Sequence, residues 1–358
     1  MIVGCMIKAF LYILKHYLKN FFTILFGLVF VISLIDFLQH MGSINGVNRY
    51  LLYFYYTFNN TISIIYPIAL VFAAVMTLSG MLFKNHLLVL ASFGYSRRAF
   101  TKPILAGVTL IYLLVVGLNF TQFAYSGDRA EAILNSDDIF KNVDNIFFKY
   151  NNSFVSAKEM DVVNKELKDA TLYLIKNRKV IYLMEFKKAK FKDGVWIAKN
   201  IQKKSFIYKN GEPVGYKTQK IDEEKILKGY YPKVVRLLYE GKRMSIQDGL
   251  AANRLLKSQN IDNTKITATL YERLIMPLFA PFLIIIIAML MPLHKRFFSK
   301  AKFYLLSLGA TLLSWSLLYS LNMMSINGVV PPILGQPLIV LIFAIIATYL
   351  WFSRDTKI

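Results

Sequence analysis

Residues 274–292 read LIMPLFAPFLIIIIAMLMP, an apolar run without a single charged side chain. A helix needs roughly 17 to 20 such residues to cross about 30 Å of hydrocarbon. Five further runs of this kind lie at about 21–35, 61–82, 104–123, 303–323 and 337–352. They fall into two groups of three, separated by a polar insert at 124–265. The layout predicts an α-helical polytopic membrane protein with an N-terminal membrane half (1–123), an inserted domain (124–265) and a C-terminal membrane half (266–358). Composition agrees, because 56% hydrophobic residues and a positive mean hydropathy suit six buried spans better than a soluble fold.

Orientation follows from lysine and arginine in the short segments, which the positive-inside rule counts while largely ignoring long translocated domains. Lys8, Lys15 and Lys19 precede the first span, and Lys84, Arg97, Arg98 and Lys102 separate the second from the third. Lys295, Arg296, Lys300 and Lys302 follow the fourth, and Arg354 and Lys357 follow the sixth. The opposite side carries only Arg49 in its first loop and no charge in 322–336. Both termini are therefore expected in the cytoplasm, and the insert, after three spans, on the outer side, which is the periplasm if the host has two membranes. Residues 1–14 lack a positive segment ahead of an apolar core and a cleavage site, so no removable signal peptide is expected. Ile2-Val3-Gly4-Cys5 has no hydrophobic segment ahead of it to act as a lipoprotein box.

The insert is large enough to bury its own core, and its pattern is β. Runs of Leu, Ile, Val and Tyr at 169–176 and 179–186 flank the turn-like Asn177-Arg178. Asp193-Gly194 separates Lys190-Phe191-Lys192 from Val195-Trp196-Ile197, and Asn210-Gly211 follows Phe206-Ile207-Tyr208. Such pairs supply the positive φ that tight hairpins need. An antiparallel sandwich or open roll is expected. Ser245 with Asp248, followed by Leu250, Leu255 and Leu256, predicts a short helix at the C-terminal end of the insert. Cys5 is the only cysteine, which excludes an intrachain disulfide and a cysteine-based metal cluster.

Enzymatic motifs are missing: there is no Walker-type phosphate loop, no His-x-x-x-His pair and no Gly-x-Ser-x-Gly elbow. His16, His40, His86 and His294 are scattered near membrane boundaries. Ion-driven carriers hold ionisable side chains at mid-membrane depth, and these spans contain almost none. Asp36, at the outer end of the first span, and Glu272-Arg273, at the outer start of the fourth, suit either interfacial anchoring or a gate or cargo contact. A net charge of +22 raises nucleic-acid binding, but much of the excess sits where topology demands it, so no nucleic-acid partner is expected.

Between the second and third spans, Lys84-Asn85-His86-Leu87-Leu88-Val89-Leu90-Ala91-Ser92-Phe93-Gly94-Tyr95-Ser96-Arg97-Arg98 carries Leu87, Leu90 and Ala91 at i, i+3 and i+4. The spacing predicts a short amphipathic helix that Gly94 ends from the C′ position. Such a helix suits docking in a groove on another protein, or resting on lipid headgroups.

Several stretches in this order resemble the LptF/LptG (YjgP/YjgQ) family of lipopolysaccharide export permeases. Lys15-His16-Tyr17-Leu18-Lys19 is similar to the family's basic-Tyr-Leu start, and the Ala91 to Arg97 element to its coupling helix. Tyr271-Glu272-Arg273-Leu274-Ile275-Met276-Pro277 is similar to the approach to its fourth span, and Pro331-Pro332-Ile333-Leu334 to Pro337 to the approach to its sixth. The resemblance covers essentially the whole chain. It implies a permease subunit of an ABC transporter that extracts lipopolysaccharide from the inner membrane, with a jellyroll-like periplasmic domain. The implied partners are a sister permease (LptF if this chain is LptG), a cytoplasmic ATPase dimer (LptB) and periplasmic bridge components (LptC, LptA). It implies no cofactor bound by this chain and no enzymatic activity of its own; the ATPase uses ATP and Mg. His86, Leu87, Leu90, Ala91, Gly94 and Arg97 would carry the coupling.

Lipid A combines acyl chains with anionic phosphates, so its carrier needs an apolar groove and nearby cations. Arg49, Arg129 and Arg273, which flank the membrane, are the candidate headgroup contacts, whereas Lys187, Lys188, Lys190 and Lys192 read as a solvated strand face. Asp36, Glu272 and Pro277 are candidates for the gate or for shaping the start of a span. Two departures matter. Asn85-His86-Leu87 stands where the family commonly has Ser-Glu-Leu, and Asp36 and His40 stand where some members place basic residues. Ile35-Asp36-Phe37-Leu38 favours LptG. The other readings are a permease of another lipid or lipoprotein ABC exporter, and a membrane scaffold that recruits periplasmic partners.

Overall fold

Hydrocarbon offers no hydrogen-bond partners, so a spanning backbone must satisfy itself. The computed structural model describes residues 2–135, 143–150, 153–161, 164–176, 179–209, 212–231, 244–258, 262–292 and 299–353. In chain order the helices are α1 (Ile2–His40), α2 (Val47–Phe83), α3 (His86–Ser92), α4 (Arg97–Leu118) and α5 (Ser126–Leu134). Six strands follow, then α6 (Ile246–Ser258), α7 (Thr264–Leu274), α8 (Phe279–Leu290), α9 (Lys300–Ile326) and α10 (Gln336–Ser353). Six segments are long and apolar enough to cross a membrane, the fourth combining α7 and α8. The chain folds into two compact units, Met1–Ala130 with Thr264–Ile358, and Glu131–Asn263.

In the helical unit α1 and α2 form an antiparallel hairpin. At 39 residues and 1.5 Å per residue, α1 is roughly 58 Å long, far more than the hydrocarbon requires. Polar contacts join the pair along its length: Asn20 Nδ2 donates to Thr77 Oγ1 (2.9 Å) and Ser33 Oγ to Thr61 Oγ1 (3.3 Å). Tyr17 is fully buried and donates its hydroxyl to the Leu70 carbonyl. Gly107 on α4 admits the Tyr17 ring, since a Cβ there would lie 2.6 Å from Tyr17 Cδ1. In the second span 67% of the apolar window is buried, against 17% in the fifth and sixth, so α2 forms the centre of this unit.

The fourth span is broken by chemistry. Pro277 has no N–H and lies in a short 3-10 turn, Met276–Leu278, between α7 and α8. Leu278 N–H bonds to Ile275 O (3.0 Å), which frees the Leu274 carbonyl. Tyr112 on α4 donates its hydroxyl to that carbonyl at 2.8 Å.

The second unit is built on one antiparallel sheet in the order β1 (Val143–Tyr150), β2 (Ser153–Asp161), β3 (Glu166–Lys176), β4 (Lys179–Lys192), β5 (Val195–Lys209) and β6 (Glu212–Ile226). Lys192 pairs with Val195 across a two-residue turn in which Asp193 and Gly194 have φ of +50° and +82°, as the Asp-Gly pair requires. The Asn177-Arg178 and Asn210-Gly211 turns lie outside the described residues.

One row interrupts every ladder while the register continues on both sides: Asn145, Lys158, Asp169, Lys187, Asn200 and Asp222. Three of the six, on alternate strands, take positive φ: Asn145 (+53°), Asp169 (+47°) and Asn200 (+55°). All six are exposed. The inward face shifts by one residue there, so Ala157 is followed by Met160, Leu167 by Ala170, Phe186 by Ala189 and Ala198 by Ile201 as buried neighbours. The row is a crease, placed where Asn and Asp tolerate the left-handed conformation best among residues with a Cβ.

Both ends of the sheet share one apolar core, from Ile146 and Phe148 on β1 to Trp196 and Ile226 on β5 and β6. Tyr230 closes the roll. Its ring stacks on Phe148 at 5.5 Å, its hydroxyl donates to Lys149 O (2.9 Å), and its carbonyl accepts from Trp196 Nε1 (2.6 Å). Burial pushes this phenol up to about 12. The expected open roll is present, assembled as a meander.

Replacing Asn200 with Val should destabilise the sheet by about 1–2 kcal/mol, the cost of a left-handed residue with a Cβ, while Asn200→Gly leaves it near the parent. Hydrogen exchange of the β5 amides checks this, and equal protection in the two variants would refute the crease. Tyr112→Phe should cost about 1 kcal/mol by removing the hydrogen bond to a half-buried carbonyl, seen as a lower unfolding midpoint of the detergent-solubilised chain.

Candidate functional site

At the basic-loop end of the helical unit, α3 is a two-turn helix with a defined stop. Gly94 has φ +79°, Tyr95 N–H bonds to Leu90 O (3.1 Å) and Gly94 N–H to Ala91 O (2.9 Å). This is the Schellman pattern of bonds, which favours glycine at C′. Leu87 and Ala91 are buried, Leu87 within the helical core, and Leu90 packs against it half-buried. The side turned outward instead carries Leu88, Val89 and Phe93, the last 74% exposed. His86 is half-buried, with Nδ1 at 3.3 Å from the Tyr12 hydroxyl. The i, i+3, i+4 stripe visible in the sequence thus anchors α3 to its own bundle. Sequence reasoning missed Leu88, Val89 and Phe93, because periodicity identifies an apolar face without saying what covers it.

Arg97 and Arg98 stand at the start of α4 and bind other helices at their C-terminal ends. Arg97 Nη1 donates to the carbonyls of Met291 (2.5 Å), Met289 (3.1 Å) and Ala288 (3.5 Å), where α8 ends. Arg98 Nε donates to Trp351 O (2.9 Å) in the last turn of α10, and its guanidinium lies over the Trp351 and Phe352 rings. A cation at a helix C-terminus satisfies orphan carbonyls and meets the negative end of the helix dipole. Arg97 and Arg98 therefore lock this loop to both the fourth and the sixth spans.

The other end of the helical unit holds the remaining named residues. Tyr53 donates to Asp36 Oδ2 at 2.6 Å, and His40 Nδ1 lies 3.2 Å from the same hydroxyl. Asp36 thus ties α1 to α2. Arg49 stands half-buried in the first turn of α2. Arg129 on α5 donates to Gln122 Oε1 (2.7 Å) and lies over the Tyr56 ring, its guanidinium 5.4 Å from the centroid. Arg273 bonds to Asn119 Oδ1, at the end of α4, and to the Ala124 carbonyl (3.3 Å). Glu272 accepts from Asn322 Nδ2 on α9 at 2.9 Å.

Adjacent residues on α7 therefore bind the third and fifth spans, and Pro277 turns the chain just beyond them. Near Glu272, Asn322 Oδ1 is buried without a hydrogen-bond partner among the described residues. Among the described residues no group of three or more His, Cys, Asp and Glu could hold a metal ion.

In the second unit Lys187, Lys188, Lys190 and Lys192 are all exposed. Lys190 bonds to Glu166 at 2.8 Å; this hydrogen bond holds the Glu166 carboxyl below the usual carboxylate range. His294, Lys295, Arg296, Arg354 and Lys357 lie outside the described residues.

Large apolar side chains of α1, α9 and α10 face outward, among them Phe22, Phe26 and Phe30 on α1 and Leu305 and Leu313 on α9. In a bilayer such faces meet lipid tails or another helical subunit. A comparison with curated proteins finds no match to the chain. A family model described as lipopolysaccharide export system permease LptF/LptG matches residues 11–353, which takes in both units and all six spans. The chain belongs to this family and is a multi-pass inner-membrane permease of lipopolysaccharide export.

Proposed function

We propose that this chain is the transmembrane permease subunit of an ABC transporter, driven by a cytoplasmic ATPase dimer of the LptB kind that α3 engages. The observation that carries this reading is α3: Leu88, Val89 and Phe93 form an exposed apolar face on a helix that leads into Arg97, whose guanidinium binds the end of the fourth span. The basic residues around it support a cytoplasmic position for this end and for both termini. Three spans precede the sheet domain, which then lies in the periplasm. ATP and Mg would be bound by the ATPase rather than by this chain. His86 replaces the family's acidic residue, so contact with the ATPase rests on apolar packing more than on charge.

On the cargo side, lipopolysaccharide would enter laterally between this chain and a sister permease, against the open faces of α1 and α9. Arg49, Arg129 and Arg273 would serve headgroup recognition, the last two already positioned by bonds to Gln122 and Asn119. Arg273 and Glu272 would also sense the gate, since they bind the third and fifth spans. The sheet domain would pass lipid to bridge components of the LptC and LptA kind. The segment 35–38 favours assignment as LptG, with LptF as the sister.

Mass spectrometry of the tagged chain, purified gently from its native membrane, tests this reading. An ATPase, a second permease and lipid A should co-purify; a different lipid with an ATPase would mean another ABC exporter, and no ATPase would mean a scaffold. Gly94→Val forces a β-branched residue to φ +79°, with open space around it, and should uncouple ATP hydrolysis from lipid movement without unfolding the bundle. Unchanged ATPase and transport rates in that variant would remove the coupling role. Phe93→Ala should weaken ATPase association while leaving the unfolding midpoint of the permease in place.

A further inference from the structure

A hollow of about 680 Å³ lies between α8 and α9 at the end where Arg97 caps α8. That volume falls among those of small-molecule sites, which run to roughly 300–1,000 Å³. On one wall are Ile286 and Leu290 of α8; on the other are Ser307 and Ala310, one helical turn apart on α9. Small residues usually let two membrane helices close on each other. Here the bulky row on α8 faces them across a gap. Leu290 and Leu306, 51% and 61% exposed, place the opening on the outer apolar surface of the helical unit. Among the described residues the polar part of the rim is Ser299, which caps α9, and the exposed Lys302 in its first turn.

An apolar slot open to lipid fits a hydrocarbon chain, and a lysine at its rim fits an anion attached to that chain. Basic pockets between spans on the cytoplasmic side bind anionic headgroups. We propose that this hollow binds one acyl chain of an anionic phospholipid, whose phosphate Lys302 recognises at the mouth. Such a lipid would brace the fourth span against the fifth at the end where α3 is anchored. The site does not depend on which cargo the permease carries.

The test is native mass spectrometry of the full chain released from nanodiscs of phosphatidylglycerol and phosphatidylethanolamine in equal amounts. The parent should retain phosphatidylglycerol in excess. Lys302→Gln, at an exposed position, should lower that retention about fivefold, the effect of one surface lysine on an anionic lipid, and leave phosphatidylethanolamine unchanged. Ser307→Phe, which fills the slot, should lower retention of both lipids. Equal retention of the two lipids by the parent, or phosphatidylglycerol retention unaltered by Lys302→Gln, would overturn the proposal. Displacement of phosphatidylglycerol by added lipopolysaccharide would overturn it too, by making the hollow a cargo site.

Discussion

Hydrocarbon leaves a free backbone carbonyl nowhere to go, and the helical unit is organised around that constraint. A continuous helix satisfies it unaided; where a helix stops or breaks, carbonyls are left that need another donor. Tyr112 supplies one at the broken fourth span. Arg97 serves the end of α8 and Arg98 the last turn of α10, while Arg273 reaches the Ala124 carbonyl beyond α4. These four donors act between segments distant in sequence, so the same bonds that satisfy the backbone also fix which helices are neighbours. The apolar faces add adhesion but little specificity, because lipid tails are as apolar as leucine.

The number of spans was legible in the sequence because transfer of an apolar run out of water is a local property. Their limits were not. Lys15 and Lys19 on α1, and Asn48, Arg49, Asn59 and Asn60 on α2, look like boundaries to a hydropathy reading, yet both helices run straight through them. Polar side chains near a membrane surface can reach water or one another while the backbone stays helical. Arg97 and Arg98 show a second limit. Their sign and position fit the topology, but only the folded chain reveals that each binds the C-terminal end of another helix.

In the sheet domain the Asp-Gly turn was legible because its conformational demand falls on two adjacent residues. The long strands were not. A period of two is the main strand signal, and the crease shifts it by one residue in each strand. Phe186 and Ala189 both face inward on β4, so a reader following alternation ends the strand at Phe186, as the sequence reading did. The signal that could have found the crease is the recurrence of Asn and Asp inside otherwise β-forming runs, at Asn145, Asp169 and Asn200. Polar residues in the middle of a strand usually demote it; here they permit the bend that lets one sheet enclose its own core.

Arg97 joins the two kinds of information at the candidate site. Its neighbourhood on the sequence suggested contact with a partner, and its guanidinium is instead committed to the carbonyls that end α8. The two readings meet if α3 is the part that a partner grips. Leu87 sits in the helical core and Gly94 fixes the exit from α3, so a force on Phe93, four residues before Arg97, reaches that arginine through a short stretch of chain. Drawing Arg97 away from the end of α8 would take a charged donor from three carbonyls, those of Ala288, Met289 and Met291. That cost resists independent movement of α3 and favours its moving together with α8. Because α8 continues through the Pro277 turn into α7, where Glu272 and Arg273 bind the fifth and third spans, displacement at the basic loop is carried through one span to the opposite end of the helical unit.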